Sequence, residues 1–268
     1  MKNVSIIINH DKEKAFLILE KLIKILEHYN ANIEINNIKK DTELILSLGG
    51  DGTFVRTIKN NTNNAPIIGI NCGTLGFLTE INETNITESF SKIFSNNYTV
   101  NNCDILQCEL KRKGKTIASD FAINDVVISR SSALEMIVFD VYINNKKIKQ
   151  YNADGFIVST PLGSTAYSLS CGGPLIEPTS KLIELTPIAS HSLINRSIVV
   201  DDTKEIKLKI VNSRNNNNNT LLSIDGNEHL PLEIGDEIII KKSDKYAKIL
   251  SVNNESFVEN IAKKMFES

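Results

Sequence analysis

The sequence predicts an α/β N-terminal domain followed by an all-β, sandwich-like domain, with a C-terminal helix packing back on the first. Three observations predict it. Strand and helix signals alternate over the first hundred residues. From there to about residue 250, short β-branched runs separated by turn residues take over. Helical spacing of apolar residues then returns at the end of the chain. Two domains suit 268 residues, since domains run to about 100–200 residues each. The chain is expected to divide into 1–100, 101–250 and 251–268.

Val4 to Ile8 is a continuous β-branched run, as expected of a strand covered on both faces. In the next segment Ala15, Ile18, Leu19, Leu22, Ile25, Leu26 and Tyr29 recur at helical spacing, with Asp11 as the N-cap. Ile33–Ile35 reads as a short strand, Leu44–Leu48 as a buried one and Ile67–Ile70 as another. Thr53–Lys59 is a helix fed by glycines. In the second domain the strand candidates are Leu106–Lys111, Ala122–Ser129, Ile137–Ile143, Gly155–Thr160, Ile198–Val200, Ile206–Val211, Leu221–Ile224 and Glu237–Lys241. Asn144-Asn145 forms a hairpin turn between two alternating runs. Phe257, Val258, Ile261, Ala262, Met265 and Phe266 share about one face of the last helix, which must cover something, the first domain being the candidate.

Thirty basic and 32 acidic residues leave a net charge of −2, so there is no electrostatic footprint for nucleic acid or a membrane surface. Cys72, Cys103, Cys108 and Cys171 follow no metal spacing and read as free thiols of a reducing compartment. His10, His28, His191 and His229 are scattered, so no dedicated metal site is expected. The run Asn215 to Asn219 reads as a surface loop. No stretch reaches the roughly 18 apolar residues of a membrane span, and the apolar run near the start is too short for a signal peptide. A soluble, cytoplasmic protein is expected.

Gly49-Gly50-Asp51-Gly52-Thr53 stands where the buried strand ends and a helix begins. In open α/β sheets ligands bind at the carboxyl ends of strands. Glycines there let backbone N–H groups turn toward a phosphate, and the helix N-terminus adds partial positive charge. A carboxylate in that position can take a hydroxyl proton or help hold a divalent cation. The same residues also make an ordinary tight turn. The pattern is neither a Walker loop nor a dinucleotide G-x-G-x-x-G fingerprint. A second glycine-rich stretch runs from Asp154 through Pro161-Leu162-Gly163-Ser164-Thr165-Ala166-Tyr167-Ser168-Leu169-Ser170 to Gly172-Gly173-Pro174. Its hydroxyls and exposed backbone suit ribose and phosphate oxygens. Alternatively it is a Ser/Thr-rich loop joining two strands.

With both segments in view, the chain resembles the NAD kinase family, which transfers the terminal phosphate of ATP to the adenosine 2′-hydroxyl of NAD. The resemblance extends to Asn71-Cys72-Gly73-Thr74-Leu75-Gly76-Phe77, to Asn124-Asp125 and to Asp225-Gly226. The pentapeptide alone is shared with lipid kinases, which leave the Asp154 to Ser170 stretch unexplained. A non-catalytic dinucleotide sensor would be free to lose Asp51.

The resemblance implies that Asp51 is catalytic, orienting or deprotonating the 2′-hydroxyl, and that it contacts NAD together with Gly52. Gly49, Gly50, Gly52 and Thr53 fit an ATP phosphate cradle. Phe77 is implied to line the adenine pocket, and Asn124 and Asp125 to hold adenine and ribose. Asp125 replaces a more common Glu, withdrawing the carboxylate by about 1.5 Å, one carbon–carbon bond. Asp154 is implied to reach the nicotinamide end, and Thr165, Ala166, Tyr167, Ser168, Leu169 and Ser170 to surround NAD. Asn152 and Asn227 are implied to contact NAD as well, and with Leu162 they make three further departures from the family pattern. Leu162 stands where Thr or Ser is frequent, Asn152 where some members carry Arg, and Asn227 where Gln is often found. The resemblance also implies Mg²⁺ or another divalent cation arriving with ATP, and a homodimer or homotetramer in which a neighbouring subunit completes the site.

Overall fold

The computed structural model describes residues 1–73, 76–132, 135–191, 195–213, 220–253 and 256–266. The Asn215–Asn219 run and Thr74-Leu75 lie outside them. The chain forms two compact units, Met1–Asn102 with Ala247–Ser268, and Cys103–Tyr246.

In the first unit, β1 (Asn3–Ile8), α1 (Glu13–His28), β2 (Asn32–Ile35), β3 (Leu44–Gly49), α2 (Asp51–Asn60), β4 (Ile67–Asn71) and α3 (Ile86–Phe94) follow in order. The four strands are parallel and ordered β2-β1-β3-β4. All six residues of β3 are buried, as its unbroken apolar run requires of a central parallel strand. The core joins Val4 and Ile6 of β1, Leu44, Leu46 and Leu48 of β3, Ile68 and Ile70 of β4, and the helix residues Leu22, Leu26, Phe90 and Ile93. Strand order reverses between β1 and β3, and sheets of this kind bind ligands at the carboxyl ends of the strands beside such a reversal.

Asp11 does not cap α1. The helix starts at Glu13 with Lys12 at the cap position and no side-chain cap. Asn9 accounts for this: its carbonyl accepts from the Lys12 N–H and its side chain from the Asp11 N–H, which holds Asp11 in the preceding turn. Tyr29, expected on the helix face, is its C-cap and stacks on Phe94.

Through the second unit run β5 (Thr99–Arg112), β6 (Lys115–Ala122), β7 (Asp125–Arg130), β8 (Ile137–Ile143), β9 (Lys146–Ala153) and β10 (Gly155–Ser159). A 3-10 turn (Leu162–Thr165) and α4 (Tyr167–Ser170) follow, then β11 (Leu182–Ile188), β12 (Ile198–Asp201), β13 (Ile206–Ser213), β14 (Thr220–Ile224), β15 (Asn227–Leu232) and β16 (Glu237–Ser251). One antiparallel layer is ordered β12-β11-β10-β7-β14-β15. A second contains β16-β13-β8-β9, with β5 paired to β6. Their facing side chains make one core, centred on the rings of Phe139, Tyr151 and Phe156. This is the sandwich the strand pattern predicts. Asn144 and Asn145 turn between β8 and β9 with φ of 48° and 62°, the left-handed pair that a two-residue hairpin needs.

The run Ala122–Ser129, expected as one strand, is two. It breaks at Ile123-Asn124 because the N–H groups of Ile123, Asn124 and Asp125 donate to the Asp225 carboxylate. Local pattern does not mark α3, β6, β11 or β15, and marks β9 only as the second arm of the Asn144-Asn145 hairpin. β9 is rich in Lys, while β11 and β15 carry Pro187 and Pro231, which local propensity counts against a strand. Pairing with neighbours overrides that count.

α5 (Phe257–Phe266) belongs to the first unit, as does the end of β16, which runs parallel to β4 at Ile249 and Ile67. Along the apolar stripe of α5, Phe257 and Ile261 are half-buried while Val258 and Ala262 are exposed, and the side chains of Met265 and Phe266 lie outside those described. Among the described residues no helix is long and apolar enough to cross a membrane. All four cysteines are free thiols. Burial pushes the Cys72 thiol up to about 11 and the Cys103 thiol up to about 12, which disfavours the thiolate at both.

Candidate active site

In the first unit the site is built at the end of β3. Gly49 is buried, and a side chain there would collide with that of Thr53, which is itself buried. Gly49 is therefore a packing requirement, and the Thr53 hydroxyl faces inward. Asp51 opens α2, where a negative charge is favoured by the helix dipole. One Asp51 oxygen accepts the Phe77 N–H at 2.8 Å and the other the Leu78 N–H at 3.1 Å. Two charge-assisted bonds from successive residues fix the carboxylate in orientation. A Cβ on Gly76 would lie 2.8 Å from Asp51 Cγ, so Gly76 makes this approach possible.

Gly52 differs from its neighbours. It is exposed, has no positive φ, and a Cβ there would meet nothing within 4 Å. Nothing in the described fold demands glycine at this position, which leaves bare backbone on the first turn of α2. Lys12, which the sequence reading did not single out, reaches over this region. Its Nζ lies 3.5 Å from where a Gly50 Cβ would be.

In the second unit the Asn124-Asp125 pair is held from behind by Asp225. That carboxylate accepts the Ile123 N–H at 2.9 Å and the Asn124 N–H at 2.7 Å. Asp225 and Gly226 turn between β14 and β15 with φ of 53° and 70°. Asp-Gly is a hairpin signal by itself, whereas its grip on residues about a hundred positions away has no sequence signature. The Asn124 carbonyl accepts from the Thr160 N–H and the Ser159 hydroxyl, and Gly163 packs on the same backbone, where a Cβ would sit 2.6 Å from Asn124 Cα. Asn124 Oδ1 is buried without a hydrogen-bond partner. Burial first, and Asp225 second, push the Asp125 carboxyl up to about 7.

The Asp154 to Ser170 stretch delivers its residues in different directions. Asp154 pairs with Arg130 at 2.9 Å. Tyr167 is 45% exposed, and its phenol is raised first by burial, then by Cys171, Asp125 and Asp154. Tyr167 thus lies within electrostatic reach of both Asp125 and Asp154. Thr165, Ala166 and Leu169 are half-buried and Ser170 is exposed. Ser168 is fully buried, its hydroxyl bonded to Glu184 at 2.6 Å and Thr186 at 2.9 Å. Leu162 is buried and fills the core at the head of the 3-10 turn. Asn152 and Asn227 are exposed strand residues, far less confined than Asp125. Among the described residues no three His, Cys, Asp or Glu side chains group as a metal site.

A carboxylate oriented at the head of a helix, next to bare backbone at the switch point of a parallel sheet, is an arrangement suited to the class of phosphoryl-transfer proteins. Comparison with known proteins narrows that class. Residues 8–98 match the ATP-NAD kinase N-terminal domain and residues 123–252 the ATP-NAD kinase C-terminal domain. An NAD kinase of Ruminiclostridium cellulolyticum is 34% identical over 284 aligned positions, covering 100% of this chain and 99% of that one. One from Lachnoclostridium phytofermentans is 35% identical, covering 96% of each. The crystal structure of yeast NADH kinase complexed with NADH superposes with a TM-score of 0.88 at 25% identity, covering 100% of this chain and 88% of that one. The chain belongs to the NAD kinase family.

Proposed function

We propose that this chain transfers the terminal phosphoryl group of ATP to the adenosine 2′-hydroxyl of NAD, giving NADP and ADP, with Asp51 as the catalytic carboxylate. The observation that carries the assignment is the double hydrogen bond from Phe77 and Leu78, which orients Asp51 before any substrate arrives. Phosphoryl transfer depends on positioning and charge neutralisation more than on covalent chemistry with the protein. The ribose 2′-oxygen forms the new bond to phosphorus, the bond from that phosphorus to the bridging oxygen of ADP breaks, and Asp51 takes the hydroxyl proton. Backbone at Gly50 and Gly52 lies open to phosphates. Gly49 and Thr53 support that turn from the buried side.

Asn124 and Asp125 are proposed to hold the adenosine, with the unpartnered Asn124 Oδ1 accepting from the adenine amino group. A buried acceptor without a partner carries a penalty of about 1–3 kcal/mol that a ligand donor relieves. Phe77 and Tyr167 supply flat apolar surface. Asp154 and the 165–170 turn supply polar contacts, those of Ser168 through its backbone. Asn152 and Asn227 are proposed as outer contacts. A divalent cation, Mg²⁺ in the first instance, arrives with ATP and neutralises phosphate charge when bound. Asp51, whose two oxygens keep lone pairs beyond the N–H bonds they accept, is the carboxylate suited to share it. A homodimer or homotetramer and a cytoplasmic location complete the reading.

The test is to incubate the pure protein with ATP, Mg²⁺ and NAD and to measure NADP with an NADP-specific dehydrogenase. Formation of NADP that disappears in Asp51→Asn, with NAD still bound to within a modest factor, is expected. Wild-type turnover in Asp51→Asn would remove Asp51 from the mechanism, and phosphorylation of a diacylglycerol without NADP would overturn the activity.

A further inference from the structure

We infer that Lys264, on the C-terminal helix, is a positioning residue that holds Asp51 in its working orientation through a single peptide group. The Lys264 ammonium donates to the Phe77 carbonyl oxygen at 2.9 Å. The N–H of that same peptide unit is the Leu78 N–H, which donates to Asp51 at 3.1 Å. Lysine, peptide and carboxylate form one chain of hydrogen bonds, and such chains polarise one another. Cation at one end and carboxylate at the other align with the peptide dipole. The ammonium also lies 3.5 Å from the Thr79 carbonyl and 5.8 Å from the centre of the Phe77 ring, so the same cation grips both the backbone and the side chain of this loop.

A second anchor, itself within electrostatic reach of Lys264, holds the same segment. Glu80 Oε1 accepts the N–H groups of Val252 and Asn253 at 2.9 and 2.6 Å, and the Ser251 hydroxyl at 3.1 Å. Val252 is itself in the core of the first unit. Residues 77–80 are therefore held by Asp51 on one side and by the end of the chain on the other. Burial along α5 fits this role: Val258 and Ala262 are exposed, yet Lys264 is half-buried against backbone carbonyls.

The inference rests on the reading of Asp51 as the catalytic carboxylate, and the test separates the two. Lys264→Met, Lys264→Arg, Lys263→Met and Asp51→Asn are assayed with ATP, Mg²⁺ and NAD, and their melting is followed. Lys264→Met is expected to lower kcat about tenfold, the scale of one hydrogen bond to a charged group, with each KM within threefold of wild type. Lys264→Arg is expected to recover most of kcat, and the exposed neighbour Lys263→Met to leave it unchanged. If Lys264→Met melts below the assay temperature, Lys264→Gln takes its place. A kcat within twofold of wild type in the neutral variant, while Asp51→Asn is inactive, overturns the clamp alone. Equal losses in Lys264→Met and Lys264→Arg overturn it too, because charge would then not matter. Wild-type turnover in Asp51→Asn overturns the catalytic reading instead, and the clamp with it.

Discussion

Gly76→Ala isolates the geometry of Asp51 from its chemistry. The added methyl would lie 2.8 Å from Asp51 Cγ and nearer still to one carboxylate oxygen. Carbon atoms pack at about 3.5–4.0 Å, so the carboxylate and the loop must part by about 1 Å. Gly76 has no positive φ, and the effect is therefore a collision and not backbone strain. The displacement falls on the 2.8 and 3.1 Å bonds from Phe77 and Leu78. A misplacement of that size at a reacting group can lower the rate about a hundredfold, while the loss of one charged hydrogen bond destabilises the fold by about 1.5–3 kcal/mol. Initial rates of NADP formation, with denaturation by urea, measure both. A large fall in kcat with a modest fall in stability is expected. Wild-type kcat in a folded Gly76→Ala protein would refute the idea that this contact orients Asp51.

Two titrations follow from buried carboxyls. Asp125 is raised to about 7, chiefly by burial, so its protonated form is favoured in the folded state; its stabilising contribution is complete at acid pH and is lost as pH rises through about 7. As an acceptor for ribose it works ionised, so KM for NAD should fall from pH 6 to 8, and Asp125→Asn should flatten that dependence. A KM slope unchanged in Asp125→Asn would exclude Asp125 as its source. Glu184, buried beneath Ser168, is likewise raised by burial, against the lowering effect of Ser168 and Thr186. Its ionised form weakens the fold, so Glu184→Gln should gain melting temperature over wild type as pH rises from below the ordinary carboxylate range to above it. A gap that does not widen with pH would count against it.

The site was legible where its residues act locally. Leu44 to Thr53 reads as a buried strand, a glycine turn and a helix because periodicity and turn chemistry are properties of neighbours in sequence. Even there, one motif hid separate jobs: Gly49 is small for Thr53, whereas Gly52 is bare toward solvent. The Ser168 hydroxyl, grouped with its neighbours as ligand-facing polar surface, turns inward to Glu184 because helical geometry sends successive side chains to different faces.

Local spacing, glycine placement and β-branched runs, read from the sequence by themselves, determined the two kinds of domain, the carboxylate at the strand end and the Asn144-Asn145 hairpin. Tertiary structure alone decided what holds that chemistry in place. Asp225 caps residues 123–125, and Lys264 reaches Phe77 from 187 residues away. Such bonds join groups that no local pattern relates. They exist only once strand register and helix packing have brought the distant segments within hydrogen-bonding distance.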